Sequence, residues 1–405
     1  MQRPSLIKRI AVLLGKGCLG TVVLLAVLIG GLFLAYWITS HEDVSYAWDV
    51  TDENRSGKSN THYLQDGKHR GISLMATERI YASDLEEVVK SNIEWIAVHP
   101  YALQPDGFDA PKINFDPSGV LGWGIRDSAL VALAGHAKDK DLKVFLKPHL
   151  WLSGGEQNKW RSEIEMQNEA GWEQWFAEYS RFIMHYAMLA DSLDIDMLSI
   201  GTELQKAALS READWRRLIE DVREVYDGKL TYAANWYEEY EYIQFWDMLD
   251  AVGIQAYFPI SRVKEPSVDT LIAGWQPHKA ALEAFSRKTG KPILFTEIGY
   301  KSVASSTIEP WGWETLQTLV ADRLSVKTQA NAYTAFFEVF WDEPWFEGAY
   351  IWRWTRQGHR VDLKDRSFYI QNKPAHQIMA RQFRKVVPPL DSTLTYTAKE
   401  EPNVY

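Results

Sequence analysis

"DMLSIGTELQKAALSREADWRRLIEDVREVYDGKLTYAANW", residues 196–236, reads as strand, helix, strand. Its first part is an apolar run that ends in Gly-Thr-Glu, and its last part is rich in β-branched and aromatic residues. Between them Trp215, Leu218, Ile219, Val222 and Tyr226 recur at intervals of three and four, the spacing of one apolar helix face. Two strands joined through a helix lie parallel in one sheet. The same unit repeats along the chain. Further strand candidates are Arg70–Ala76, Glu94–Pro100, Leu142–Pro148, Ala251–Phe258, Pro292–Gly299 and Ala349–Trp354, which with Asp196–Glu203 and Lys229–Trp236 make eight. A second helical face runs through Trp172, Trp175, Phe176, Tyr179, Phe182, Ile183 and Tyr186. Eight strand–helix units predict an α/β fold of the (β/α)8 TIM-barrel kind. An open doubly wound sheet would want a glycine-rich phosphate loop after the first strand, and "GISLMATERIYASD" holds none. The long segment Tyr101–Trp123, with Pro105, Gly107, Pro111 and Pro117, reads as an elaborated loop after the second strand.

The chain has 405 residues, 54 acidic against 44 basic, a balance that argues against nucleic acid as a partner. Eighteen Trp and 19 Tyr are the outlier. Flat aromatic faces suit the apolar faces of sugars, and a large barrel also packs with aromatics. Ahead of the barrel, residues 17–40 carry no charge and follow Arg3, Lys8, Arg9 and Lys16. Such a run is long enough to span roughly 30 Å of hydrocarbon as a helix. The basic flank predicts a cytoplasmic N-terminus and an extracytoplasmic barrel, periplasmic or extracellular. A cleavable signal peptide would have a shorter apolar region and a small-residue cleavage site, which "LAYWITS" lacks. Cys18 is the single cysteine, so no disulfide forms within the chain. The expected layout is a basic segment 1–16, an uncleaved single-pass transmembrane anchor 17–40, a polar stalk 41–68, the barrel domain 69–386 and a polar tail 387–405.

In such a barrel the site lies at the C-terminal strand ends. His99 falls at the end of strand two, Lys147 and His149 of strand three, Glu203 of strand four, and Asn235 with Trp236 of strand five. Tyr257 falls at the end of strand six, Glu297 of strand seven, and Trp352, Arg353 and Trp354 of strand eight. Glu203 and Glu297 stand on opposite sides of the mouth, and facing carboxylates are what glycoside hydrolysis uses. The bland alternative is that each caps a helix or pairs with Lys147 or Arg353. His99, Lys147, His149, Asn235, Trp236, Trp352, Arg353 and Trp354 are candidate glycan contacts. The acidic run Trp236–Trp246 suits either a glycan cleft or a solvated helix face. Neither histidine sits in an H-E-x-x-H pattern, and no metal or cofactor is expected.

Five stretches, Phe145–Leu152, Leu198–Gln205, Leu230–Trp236, Phe245–Ile260 and Leu294–Ser302, resemble the successive strand signatures of glycoside hydrolase family 113. The resemblance covers about residues 69–380. It implies a retaining barrel enzyme, chiefly endo-β-1,4-mannanase-like, that acts on a β-linked glycan. By motif it implies Glu203 as acid/base, Glu297 as nucleophile, Tyr257 as hydrogen-bond partner of the nucleophile, and Trp352 or Trp354 as the floor beneath the reacting sugar. Many relatives in the wider clan have Asn before the acid/base, where this chain has Thr202. Gln255 stands where many relatives have Asp. A non-catalytic envelope glycan-binding protein and a metal-dependent barrel enzyme are the rival readings. The first would favour neutral amides over carboxylates, and the second needs three or four converging ligands.

Overall fold

The computed structural model describes residues 23–34, 50–75, 79–105, 107–116, 126–153, 160–313, 322–356 and 363–394. Eight parallel strands close a barrel: β1 (His69–Met75), β2 (Trp95–Val98), β3 (Lys143–Leu146), β4 (Met197–Thr202), β5 (Lys229–Asn235), β6 (Val252–Gln255), β7 (Ile293–Ile298) and β8 (Phe346–Thr355). Each expected strand is found at its place, in sequential order around the barrel. Alternation splits the side chains in two. Trp95, Ala97, Phe145, Met197, Ala251, Leu294 and Tyr350 fill the interior, whereas neighbours such as Ile96, Val98, Leu198 and Phe295 pack outward against the helices. Each Leu, Ile or Phe fully buried in that outer layer contributes about 1.5–3 kcal/mol.

Helices Asp84–Lys90, Asp127–Asp139, Glu169–Ser192, Glu212–Arg223, Val268–Thr289, Val326–Phe340 and Pro374–Phe383 pack around the sheet. The unit between β5 and β6 departs from the expected pattern. Residues 236–251 form turns and one 3-10 turn, Trp246–Met248, in place of a helix. The acidic run is therefore not a solvated helix face: Glu239 and Tyr240 are buried within it, while Glu238 and Tyr242 are exposed.

A second departure lies above β2 and β3. Tyr101–Pro105 and His149–Ser153 form a separate two-stranded parallel sheet. It continues the register of the strands below, since Val98 pairs with Leu146 and Tyr101 with His149. The Lys147 N–H donates to the Val98 carbonyl at 2.9 Å and the His149 N–H to the Pro100 carbonyl at 2.8 Å, so pairing runs through the gap, where Pro100 has no N–H to give in return. The pair thus rises as a ribbon above the barrel mouth, and the start of the long loop is strand rather than coil.

The described part of the expected stalk, residues 50–68, packs on the barrel floor, so the compact domain begins before residue 69. Asn92 Nδ2 donates to the Asp52 carbonyl at 2.6 Å. Buried Arg70 holds Asp66 at 2.6 Å and donates to the Phe383 and Lys385 carbonyls. Glu94 accepts from the backbone N–H groups of His62 and Tyr63. The polarity that suggests a solvated linker instead satisfies strand and helix ends. The tail joins the same floor, with Val387 buried and the Leu390 N–H donating to the Asp66 carbonyl. Residues 395–405 lie outside the described residues. So do residues 17–22 and 35–40 of the expected anchor: residues 23–34 are helical with exposed apolar side chains, and among the described residues no helix is long and apolar enough to cross a membrane.

Candidate active site

Strand bulges aim both glutamates. On β7, Ile293 and Phe295 pack outward and Leu294 inward. Strict alternation would send Glu297 outward as well. The register against β6 slips by one residue between Ile254–Phe295 and Gln255–Glu297, which places Glu297 beside Gln255 at the mouth. On β4, Ser199 pairs with Thr231 but Thr202 with Ala233, so one extra residue is accommodated there as well. The Ile200 carbonyl in this bulge accepts from Tyr179 Oη at 2.9 Å. Gly201 is required in the bulge, because a Cβ there would lie 2.7 Å from the Tyr232 ring and 2.9 Å from Trp215. Glu203 then takes a left-handed backbone conformation, φ 53°, which is uncommon for a non-glycine residue and places its side chain in the mouth.

Both oxygens of Glu297 are held by donors. Buried Lys147 Nζ pairs with Oε1 and Tyr257 Oη donates to Oε2 at 2.7 Å. An oxygen pair that receives an ammonium and a phenol is an ionised carboxylate. Lys147 is kept in place by Gln255 Oε1 at 3.2 Å, which also accepts from Thr296 Oγ1. The neutral amide at 255 leaves the ammonium charge to Glu297. Lys147 is therefore a partner of the carboxylate rather than a glycan contact, because its amine is buried and already engaged. Replacing Lys147 with methionine should lower kcat/KM by about 10²-fold or more, the scale on which removal of one preorganised donor from a reacting site acts, and should also lower stability, since it leaves a buried charge without its partner. Michaelis kinetics beside a thermal midpoint separate the catalytic loss from unfolding.

Glu203 sits in a different environment. Trp160 Nε1 donates to its Oε2 at 2.7 Å, and Arg161 Nε lies 3.4 Å from the same oxygen. Oε2 is thus an acceptor, and an acidic proton belongs on Oε1. Burial raises the Glu203 carboxyl above its ordinary value; Arg161 opposes this and the charge of Glu297 adds to it. The Arg161 guanidinium carbon lies 4.4 Å from the ring centroids of both Trp151 and Trp160, whose planes are nearly perpendicular. One carboxyl held ionised and its neighbour inclined to stay protonated is the division of labour that acid and nucleophile need.

Glu203 and Glu297 open onto one cavity of about 920 Å³, walled by His149, Trp151, Trp160, Arg161, Asn235, Trp236, Tyr237, Tyr257, Trp311, Trp313, Trp352 and Phe368. Trp311 stacks on Trp236 at 5.3 Å, and Trp313 meets Phe368 edge-on. The aromatic excess divides in two: these rings line the cavity, while Trp175, Trp215, Trp246, Trp275, Trp341 and Trp354 are fully buried. Trp352 lines the cavity but Trp354 does not. The β1–β8 register slips between Ile72–Ile351 and Leu74–Trp354, which puts Trp354 in the outer layer against His376. Arg353 also leaves the mouth, with its guanidinium 4.4 Å over the Tyr369 ring. Neither carboxylate pairs with it. Asn235 reaches the cavity with its Nδ2 donating to Glu239. Thr202 is buried behind the wall, its hydroxyl without a partner among the described residues.

His99 lies behind the wall, edge-on to His149 at 5.0 Å and to Trp352 at 5.7 Å. Burial lowers both imidazoles well below their ordinary range, so they are neutral, and the Nε2 of each has no partner among the described residues. With Glu297 they bring three ligand atoms within 4.8 Å. A cation there would meet the Lys147 ammonium and would compete for oxygens that already take two donors.

Sequence reasoning missed Trp160, Arg161, Trp311, Trp313 and Glu239. Trp160, Trp311 and Trp313 lie outside helices and strands and Arg161 opens a single 3-10 turn, Arg161–Glu163, where no periodicity marks them. Glu239 is hidden in an acidic run, yet it is wholly buried and its carboxyl is pushed up to about 7, first by burial.

A family model described as Glycoside Hydrolase Family 113 matches residues 75–373. Among solved structures, the GH113 β-mannanase AaManA from Alicyclobacillus acidocaldarius, in complex with ManMIm, is 28% identical, with a TM-score of 0.67 over 78% of this chain and 97% of that one. A second GH113 β-1,4-mannanase is 25% identical, with a TM-score of 0.64 over 78% and 98%. A β-glucuronidase from Ruminococcus gnavus, 11% identical over 77% of this chain and 50% of its own with a TM-score of 0.53, shares the fold alone. No curated protein matches the chain.

Proposed function

Because the chain belongs to glycoside hydrolase family 113 and is a glycoside hydrolase, we propose that it cleaves a β-1,4-linked mannan-type glycan with retention of configuration, using Glu203 and Glu297. The observation that carries this reading is the opposed state of the two carboxyls in one cavity, Glu297 between Lys147 and Tyr257 and Glu203 raised by burial. The similar structures are those of β-mannanases, which supports the choice of glycan.

In the first step Glu297 attacks the anomeric carbon while the Oε1 proton of Glu203 passes to the glycosidic oxygen, so the C–O bond breaks and the alcohol leaves. Glu203, now ionised, is stabilised by Arg161 and Trp160. Water then gives a proton to Glu203 and its oxygen to the anomeric carbon. This releases Glu297 and restores the acid. Trp236 with Trp311 and Trp151 with Trp160 offer aromatic faces within the same cleft, which favours a chain of several sugars over a single one. We place the barrel outside the cytoplasm, tethered by residues 17–40, on the strength of the uncharged run and its basic flank. Incubating the protein with β-mannan, glucomannan, cellulose and xylan and following new reducing ends tests the substrate. Release from the two mannose-containing polymers is expected, and release from xylan alone would overturn the assignment.

A further inference from the structure

The left-handed backbone of Glu203 has to be held by something, since such strain persists only where surroundings over-determine it. The Glu203 N–H donates to the Ala233 carbonyl at 2.9 Å. On the other side of the residue, the Leu204 N–H donates to Tyr232 Oη at 2.7 Å. That phenol has therefore accepted one bond and gives its own proton to Glu239 Oε1 at 2.6 Å. Glu239 Oε2 takes the backbone N–H and the Nδ2 of Asn235, both at 2.7 Å. The bonds given by Leu204 and Asn235 cannot reverse, because a backbone or amide N–H only donates, and with Glu239 ionised the phenol proton can go only to its carboxylate. The Tyr232 ring also occupies the space beside Gly201, so this one side chain touches the turn before and after Glu203. Glu239 is wholly buried and has no ion-pair partner among the described residues. A lone buried carboxylate is costly enough to require a role.

Building on the glycosidase reading above, we infer that Tyr232 and Glu239 are positioning residues that fix the turn carrying the acid/base, so that they act on proton donation through Glu203 without touching substrate. Glu239 also fixes the amide of Asn235, which ties the end of β5 to the end of β4.

Proton donation is the part of the reaction that a good leaving group does not need. The test compares kcat/KM, which reports the first step, on mannopentaose and on 2,4-dinitrophenyl β-mannobioside for wild type, Tyr232→Phe and Glu239→Gln. Both variants should lose about 10²-fold on the pentaose, within the range general acids supply, and less than about threefold on the aryl glycoside. Equal losses on the two substrates, or none on either, would overturn the inference. Tyr232→Phe removes a single oxygen, and its near-UV circular dichroism checks that it folds. A wild type that cleaves neither substrate would instead sink the proposed function.

Discussion

Replacing Glu297 with alanine should lower kcat/KM on manno-oligosaccharides by about 10⁴-fold or more, the scale on which removal of a covalent nucleophile acts. The loss follows from the role of the side chain. Without it the anomeric carbon has no attacking group on that face, and the Lys147 ammonium and Tyr257 hydroxyl point into an empty space. The same vacancy admits a small anion beside the ammonium. Added azide should therefore restore turnover of an activated aryl mannoside and give the α-mannosyl azide, because a single displacement from the nucleophile's side inverts the centre. A variant that kept more than about a tenth of wild-type activity would remove Glu297 from the mechanism.

Replacing Glu203 with alanine should lower kcat/KM on the same oligosaccharides by about 10²–10⁴-fold, the contribution of a positioned acid. The two substitutions differ in kind. With a dinitrophenyl leaving group the first step needs no proton, so Glu203→Ala should still form the glycosyl-enzyme, release one burst of dinitrophenol and stall, because water lacks its base. Azide should then give the β-mannosyl azide by attack on the intermediate. Intact-protein mass spectrometry during the stall should show one added glycosyl group. An unmodified mass, together with an α azide, would exchange the assigned roles of the two glutamates.

The barrel was legible because strands covered on both faces read as continuous apolar runs, with helix periodicity between them. The two glutamates were legible because a carboxylate at the end of such a run is costly without a role. What escaped the reading is register. A one-residue bulge leaves no mark in composition, yet bulges decide that Glu297 faces the mouth and that Trp354 does not. Lys147 illustrates a second limit. By sequence it suits a partner of either glutamate or a glycan contact, and the fold decides for Glu297, 150 residues further on. Pro100 and Pro148 looked like strand ends, yet the ribbon continues above them. The polar residues 50–68 looked solvated because their partners, Asn92, Glu94 and Arg70, lie in other segments of the chain.

A double displacement through Glu297 fixes the configuration of the first product. Proton NMR of a mannopentaose digest, recorded within the first minutes before mutarotation equilibrates the anomers, should show the β anomer of the newly formed reducing sugar first, with the α signal growing later. An α anomer that appears first would mean direct attack by water, with no covalent intermediate on Glu297.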